Sequence, residues 1–222
     1  MRKTVLIFVL ILMGTAAFAQ NGVIRELNGT VELKASGSSS YVQAKSGDQV
    51  REDTIISTGF KSSALIAVGN TLLTVRPLTR LTLKEISSAS GTETLNVNLQ
   101  AGRVRVDVNP PSGTRAAMTV SSPVATASVR GTSFEFDTRN LWVNHGKVSF
   151  KGQRGPMMLV SAGSSSRIQE DGKVADPVSI KIAELSPQAP VGTDSSGGTS
   201  GEGFSSATLV ITADYNELID GH

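Results

Sequence analysis

The stretch VATASVRGTSFEFDTRN, from Val124 to Asn140, reads as one long β-strand that a Gly-Thr pair interrupts. Small or apolar side chains occupy the odd positions up to Val129, whereas beyond Gly131 the apolar positions are the even ones, Phe134 and Phe136. Since successive side chains of a strand point to opposite faces, an unbroken strand would aim the two Phe side chains away from the side of Val129. The sequence therefore predicts a bulge or a sharp corner at Gly131, where glycine removes the steric restriction.

The rest of the chain is typical of an all-β domain, because Gly, Ser, Thr and Val are abundant and turns separate short β segments. Apolar and polar residues alternate most regularly over residues 95–99 and 104–108, on either side of Ala101-Gly102. Asn28-Gly29, within VIRELNGTVELK, predicts a hairpin over residues 23–34. We expect a roll, a solenoid or a sandwich of short strands, with at most one short helix.

The first nineteen residues have the features of a signal peptide. Arg2 and Lys3 precede the apolar run of residues 5–13, and Ala17-Phe18-Ala19 is a small-x-small cleavage signature. We expect cleavage after Ala19, export to the periplasm or the cell surface, and no transmembrane helix in the mature chain, because the apolar run is shorter than the ~20 residues that a spanning helix needs.

The C-terminal region changes in composition after residue 173. Residues 174–187 contain SIKIAELSP, which could form a short helix, and residues 188–205 form a Gly/Ser-rich linker that we expect to be flexible. Residues 206–222 include a last apolar run that could be a strand or a tail. The predicted β domain therefore covers residues 20–173.

Charge is balanced overall but unevenly placed. Removing Arg2 and Lys3 with the signal peptide reduces the 21 basic residues to 19, against 19 acidic ones, so overall charge does not favour a nucleic-acid partner. Residues 101–155 carry eight basic and three acidic side chains, whereas residues 170–222 carry two and nine. The basic stretch could be a solvated surface or a binding face.

The order of several motifs resembles the FecR-type domain, the β-rich exoplasmic module of iron-citrate signalling regulators. The motifs are GDQVREDTIISTG, LNVNLQAGRVRVDV, VATASVRGTSFEFD, LWVNHGKVSF and LVSAGSSSRI, and they span residues 45–173. The resemblance implies a mainly β fold with a structural signature formed by Arg130, Gly131, Thr132, Phe134 and the turn glycine Gly146. Regulators of this family resemble membrane proteins with a cytoplasmic sigma-binding segment, and the four residues before the apolar run are too few to form one.

Catalytic and metal-binding patterns are weak in this sequence. The chain has no Cys, its two His residues lie in a predicted turn and at the last position, and no nucleophile elbow occurs. Glu135 and Asp137 could act as a carboxylate pair on a polysaccharide, but they more simply form the polar side of a strand. Trp142 could stack on a sugar or lie in the core. The candidate binding face consists of Arg103, Arg105, Trp142 and His145.

These observations favour a non-catalytic cell-envelope protein, with no cofactor, that binds an envelope protein or a surface polymer. One alternative is a periplasmic component of iron-responsive signal transduction that lacks its own sigma-binding segment. Another is a hydrolase of cell-wall polysaccharide.

Overall fold

The computed structural model describes residues 21–89 and 92–186, and this part of the chain is almost entirely β. It contains one short helix, α1 (Pro177–Leu185), which agrees with the predicted fold class. The strands are β1 (Gly22–Asn28), β2 (Val31–Lys34), β3 (Val42–Gln43), β4 (Gln49–Val50), β5 (Ile55–Thr58), β6 (Ser63–Val68), β7 (Thr71–Val75), β8 (Arg80–Ala89), β9 (Thr92–Ala101), β10 (Arg103–Val108), β11 (Arg115–Ser121), β12 (Ala125–Arg130), β13 (Ser133–Asp137), β14 (Asn140–His145), β15 (Lys147–Gly152), β16 (Met158–Ser161) and β17 (Ser164–Arg167).

The strands form two sheets that enclose one hydrophobic core. Sheet A has the order β17-β14-β13-β10-β7-β6-β1-β4, and sheet B has the order β16-β15-β12-β11-β9-β8-β5-β2-β3. Alternate side chains of both sheets enter the same cluster of buried residues. The rings of Phe136 in sheet A and Phe150 in sheet B meet edge to face, with their centroids 5.8 Å apart. The architecture is therefore a sandwich, with strands added along both sheets in nearly the order of the sequence.

The predicted break at Gly131 is a corner between the two sheets. Strand β12 ends at Arg130 in sheet B, and β13 begins at Ser133 in sheet A. Gly131 has a φ of +69°, which is in the left-handed region that favours glycine. Because the chain changes sheets here, Val129 and Phe134 both face the core although their parities differ.

The predicted hairpin over residues 23–34 is wrong. Strand β1 pairs with β4 and β6 in sheet A, whereas β2 pairs with β3 and β5 in sheet B. The chain turns at Gly29, where φ is +73°, and then crosses to the other sheet. The hydroxyl of Ser62 accepts a hydrogen bond of 2.9 Å from the Thr30 N–H, which fixes the crossing. The Asn28-Gly29 pair thus predicts the turn correctly but does not predict which strands pair with each other.

The helix lies beside the last strand of sheet A. Its N-cap is Asp176, whose carboxylate accepts a hydrogen bond of 3.2 Å from the Val178 N–H, and Pro177 occupies the first turn.

Within the described ranges, no helix combines the length and apolar character needed to cross a membrane. The predicted signal peptide, the linker and the C-terminal run lie outside the described residues.

We expect the Gly131→Val variant to lose about 1–3 kcal/mol of unfolding free energy, because a β-branched residue tolerates a positive φ poorly. Steric overlap should contribute little, since a Cβ at this position would meet nothing closer than Pro110 Cγ at 3.8 Å. Urea denaturation followed by circular dichroism measures the change.

Gly131→Asn is the matched control, because Asn adopts the left-handed conformation more readily than Val. We expect Asn to retain most of the wild-type stability. Equal stability of the Val variant and the wild type would show that the corner does not depend on the backbone conformation of this glycine.

Candidate functional site

The outer surface of sheet A carries an ordered group of charged and aromatic side chains. The residues between the buried positions of β10 and β13 face solvent; the buried positions are Val104, Val106, Val108, Phe134 and Phe136. The strand register places Arg103 opposite Asp137 and Arg105 opposite Glu135, and it places Trp142 of β14 on the far side of Glu135. We call this surface the arginine–tryptophan face; it comprises Arg76, Arg103, Arg105, Glu135, Asp137 and Trp142.

Arg103 connects the two acidic residues of β13. Its Nη1 lies 3.5 Å from Glu135 Oε1, and its Nη2 lies 3.6 Å from Asp137 Oδ2. Arg76, directly after β7, reaches the second oxygen of Glu135 at 3.5 Å. Single ion pairs at a surface contribute only ~0–1 kcal/mol, but a shared network limits the rotamers of all its members. The network therefore holds the Arg103 guanidinium in place.

Trp142 lies against that guanidinium. The Cζ of Arg103 is 4.6 Å from the centroid of the Trp142 ring, which is the geometry of a cation–π contact. Trp142 is only partly buried and lies on the outer side of β14, between the buried residues Leu141 and Val143. Of the two roles considered for this residue, the structure thus gives a surface position rather than a core position.

Arg105 forms a second ion pair on the same surface. Its Nε and Nη2 lie 3.1 and 3.4 Å from the two carboxylate oxygens of Asp107, which is a bidentate arrangement. The hydrogen bond and the negative charge of Asp107 raise the pKa of the Arg105 guanidinium above its ordinary value. Ser133 Oγ donates to the same carboxylate. The ion pair therefore orients the side chain of Arg105 along its own strand.

His145 lies at the end of β14, away from the contact between Arg103 and Trp142. The register of β13 and β14 shifts by one residue between Ser133 and Phe134, so that His145 lies opposite Ser133. Its side chain is exposed. The structure thus brings three of the four predicted binding residues, Arg103, Arg105 and Trp142, together on one surface. The fourth, His145, lies beyond this group at the end of β14.

The residues of the proposed family signature surround the corner between β12 and β13. Thr132 is 2% exposed, and its carbonyl oxygen accepts a hydrogen bond of 3.0 Å from the Val108 N–H. A Cβ at Gly146 would overlap Cγ2 of Thr132, and Gly146 has a φ of +79°. Phe134 is fully buried. Arg130 differs from these residues because it is exposed at the end of β12.

Sequence reasoning missed Arg76 as a member of this face and Asp107 as the ion-pair partner of Arg105. Asp107 continues the polar positions of β10, so the alternation over residues 104–108 could have identified it. Arg76 lies in the connection after β7, and only the pairing of β7 with β10 brings it near Glu135. In the ranges 21–89 and 92–186, no cluster of three or more His, Cys, Asp or Glu residues is placed to hold a metal ion.

Residues 54–149 match the family model described as FecR protein, which confirms the resemblance that the motifs indicate. The chain is also similar to two crystal structures of a candidate anti-sigma factor from Parabacteroides distasonis ATCC 8503. Each similarity has 15% sequence identity and a TM-score of 0.45. The first covers 59% of this chain and 64% of the other, and the second covers 58% and 62%, so this chain spans less than two thirds of their length. No curated protein matches the chain.

Proposed function

We propose that this protein is a non-catalytic signalling component of the cell envelope that binds another envelope protein through the arginine–tryptophan face. The contact between Arg103 and Trp142 is the observation that carries the proposal. The match to the FecR family supports a role connected with signalling. The signal-peptide pattern of residues 1–19 supports export to the periplasm or the cell surface, with the FecR-like β domain covering residues 20–173.

The side chains of this face suit protein recognition. Trp and Arg are the residue types most enriched among those that dominate binding energy at protein interfaces. Arg103 is held by Glu135, Asp137 and the Trp142 ring, so a partner would not have to fix a freely rotating side chain. Because ordering a side chain costs about 0.5–1.5 kcal/mol on binding, this arrangement reduces the cost of association.

The contacts of Glu135 and Asp137 favour a non-catalytic role over polysaccharide hydrolysis. Glu135 contacts the guanidinium groups of Arg76 and Arg103. One oxygen of Asp137 accepts hydrogen bonds of 2.8 and 2.7 Å from the N–H groups of Arg139 and Asn140. Both carboxylates are therefore engaged in holding the surface and the turn after β13. A role in iron-responsive signalling is the second candidate, and the family resemblance favours it.

Site-specific photo-crosslinking in the native envelope tests the proposed face. A photoreactive phenylalanine derivative at position 142, which keeps an aromatic ring beside Arg103, should give a discrete crosslinked product with an envelope protein. The same residue in place of Arg25, an exposed position on β1 at the other end of sheet A, is the matched control and should give none.

A second variant distinguishes recognition from mere proximity. A photoreactive residue in place of Asn144, next to the face, should crosslink to the same partner, and the additional change Arg103→Gln should reduce the yield by about tenfold. Crosslinks of equal yield at position 25, or a yield that does not depend on Arg103, would contradict the proposal.

A further inference from the structure

We propose that the outer surface of sheet B binds an anionic polysaccharide. This surface lies on the opposite side of the sandwich from the arginine–tryptophan face and does not depend on the function proposed for that face. Its positive charge comes from one residue of β11, one of β12 and two of β15. We call it the basic face; it comprises Arg115, Arg130, Lys147 and Lys151.

The basic face has no acidic residues to neutralise it. Strands β11, β12, β15 and β16 contain no Asp or Glu. Over residues 21–89 and 92–186, none of the four cations of this face takes part in an ion pair. On sheet A, by contrast, Arg76, Arg103 and Arg105 each contact a carboxylate. Six cations of the basic stretch 101–155 have no ion pair within the described ranges, and four of them lie on the outer surface of sheet B; the other two, Arg139 and Arg154, lie in connections between strands.

Two of these cations are neighbours. Strand β12 pairs with β15 in a register that places Val129 opposite Val148, and one step further along this register brings Arg130 opposite Lys147. Both side chains are exposed. Like charges directly opposite each other in a sheet repel and are destabilising. An anionic group bound between Arg130 and Lys147 would remove this repulsion, so the unliganded surface favours anion binding.

A row of hydroxyl groups lies beside these cations. Thr119 is opposite Ser128, and Ser128 is opposite Ser149, so the row crosses three strands. The Thr119 and Ser128 hydroxyls are 3.2 Å apart. These three residues, with Arg130 and Lys147, line a shallow depression of about 500 Å³. Neighbouring strands are ~4.8 Å apart, so the row offers evenly spaced donors and acceptors along an extended ligand.

This combination fits an anionic sugar polymer better than a protein or a membrane. The outward positions of β11, β12 and β15 carry Ala, Ser, Thr, Lys or Arg and no aromatic residue, and the one large apolar side chain beside them is the exposed Leu159 of the edge strand β16, opposite Ser149. Protein interfaces usually need buried aromatic or apolar anchors, and membrane-surface binding needs apolar side chains that insert. Hydroxyl groups of a sugar can pair with the Ser/Thr row, while its carboxylate or phosphate groups pair with the cations.

Binding of defined polymers to the whole protein tests the inference. We would titrate the protein with polygalacturonate, which carries carboxylates, with phosphomannan, which carries phosphates, and with neutral dextran. We expect binding to one or both anionic polymers and none to dextran. Binding should weaken strongly at about 0.5 M NaCl, where the Debye length is only a few ångströms.

A pair of double variants locates the site. Arg130→Gln/Lys147→Gln should lower the affinity for the anionic polymer by about tenfold or more. Arg25→Gln/Lys45→Gln removes the same charge from exposed positions near the other end of the sandwich and should leave the affinity within about twofold. Because all four side chains are exposed, the thermal unfolding midpoint of both variants should stay close to that of the wild type.

Several results would overturn the inference. These are the failure of both anionic polymers to bind, or an equal loss of affinity in the two double variants. Equal binding of polyglutamate would indicate recognition of charge alone, and preferential binding to phosphatidylglycerol vesicles would indicate a lipid surface. Arg103 and Trp142 are unchanged in these variants, so failure here would leave the crosslinking test of the other face unaffected.

Discussion

Phe134→Ala should lower the free energy of unfolding by about 3–5 kcal/mol, which is among the largest losses expected from a single truncation in this domain. Phe134 is fully buried and is one of the largest side chains in the core. Truncation removes the transfer free energy of the ring and leaves a cavity between two sheets that can collapse only partly. Urea denaturation at equilibrium measures the difference.

Phe60→Ala is the matched control for this prediction. Phe60 is 74% exposed, so the same chemical change should alter the stability by less than about 0.5 kcal/mol. If both variants lost the same small amount, Phe134 would not be a core residue, and the corner at Gly131 would not serve to direct it inward.

Gly102→Ala should destabilise the domain by at least ~3 kcal/mol or prevent folding, because two effects add. Gly102 joins β9 in sheet B to β10 in sheet A with a φ of +85°. A Cβ at this position would overlap Thr79 and lie 2.6 Å from the carbonyl oxygen of Leu78. Since Thr79 also receives a hydrogen bond of 2.9 Å from the Arg103 N–H, the crossing cannot shift without losing that bond.

Gly113→Ala separates the two effects. Gly113 has nearly the same φ, +86°, but a Cβ there would meet no atom within 4 Å. We expect it to cost only the ~1–2 kcal/mol of a left-handed Ala residue. Thermal unfolding of the two variants gives the comparison, and equal destabilisation would show that the contact with Thr79 and Leu78 is relieved without cost.

Side-chain parity was the part of the sequence that best predicted the fold. The alternation over residues 95–99 and 104–108 and the flip at Gly131 depend only on local geometry, and each appears in the structure as a strand with one buried side. Side-chain parity does not predict which strands are neighbours in a sheet. The error over residues 23–34 arose because the deciding contact, from Thr30 to Ser62, joins residues that are far apart in the sequence.

For the candidate sites too, the sequence predicted local features but not the contacts between strands. The sequence identified Arg103, Arg105 and Trp142 as surface candidates from their positions in strands, but the contact between Arg103 and Trp142 spans an intervening strand. The sequence also showed an excess of basic residues over 101–155. Only the assignment of strands to sheets shows that the strand residues of this excess divide into the paired arginines of sheet A and the basic face of sheet B.

The order of the strands has a consequence for how the protein is made. From β5 onward, every strand has at least one partner that precedes it in the chain. A polypeptide that emerges N-terminus first can thus add each new segment to edges that are already formed, without waiting for distant residues. At each stage, each of the two sheets has only one edge that still awaits its next strand. Few unpaired edges are therefore available for pairing between unfinished chains.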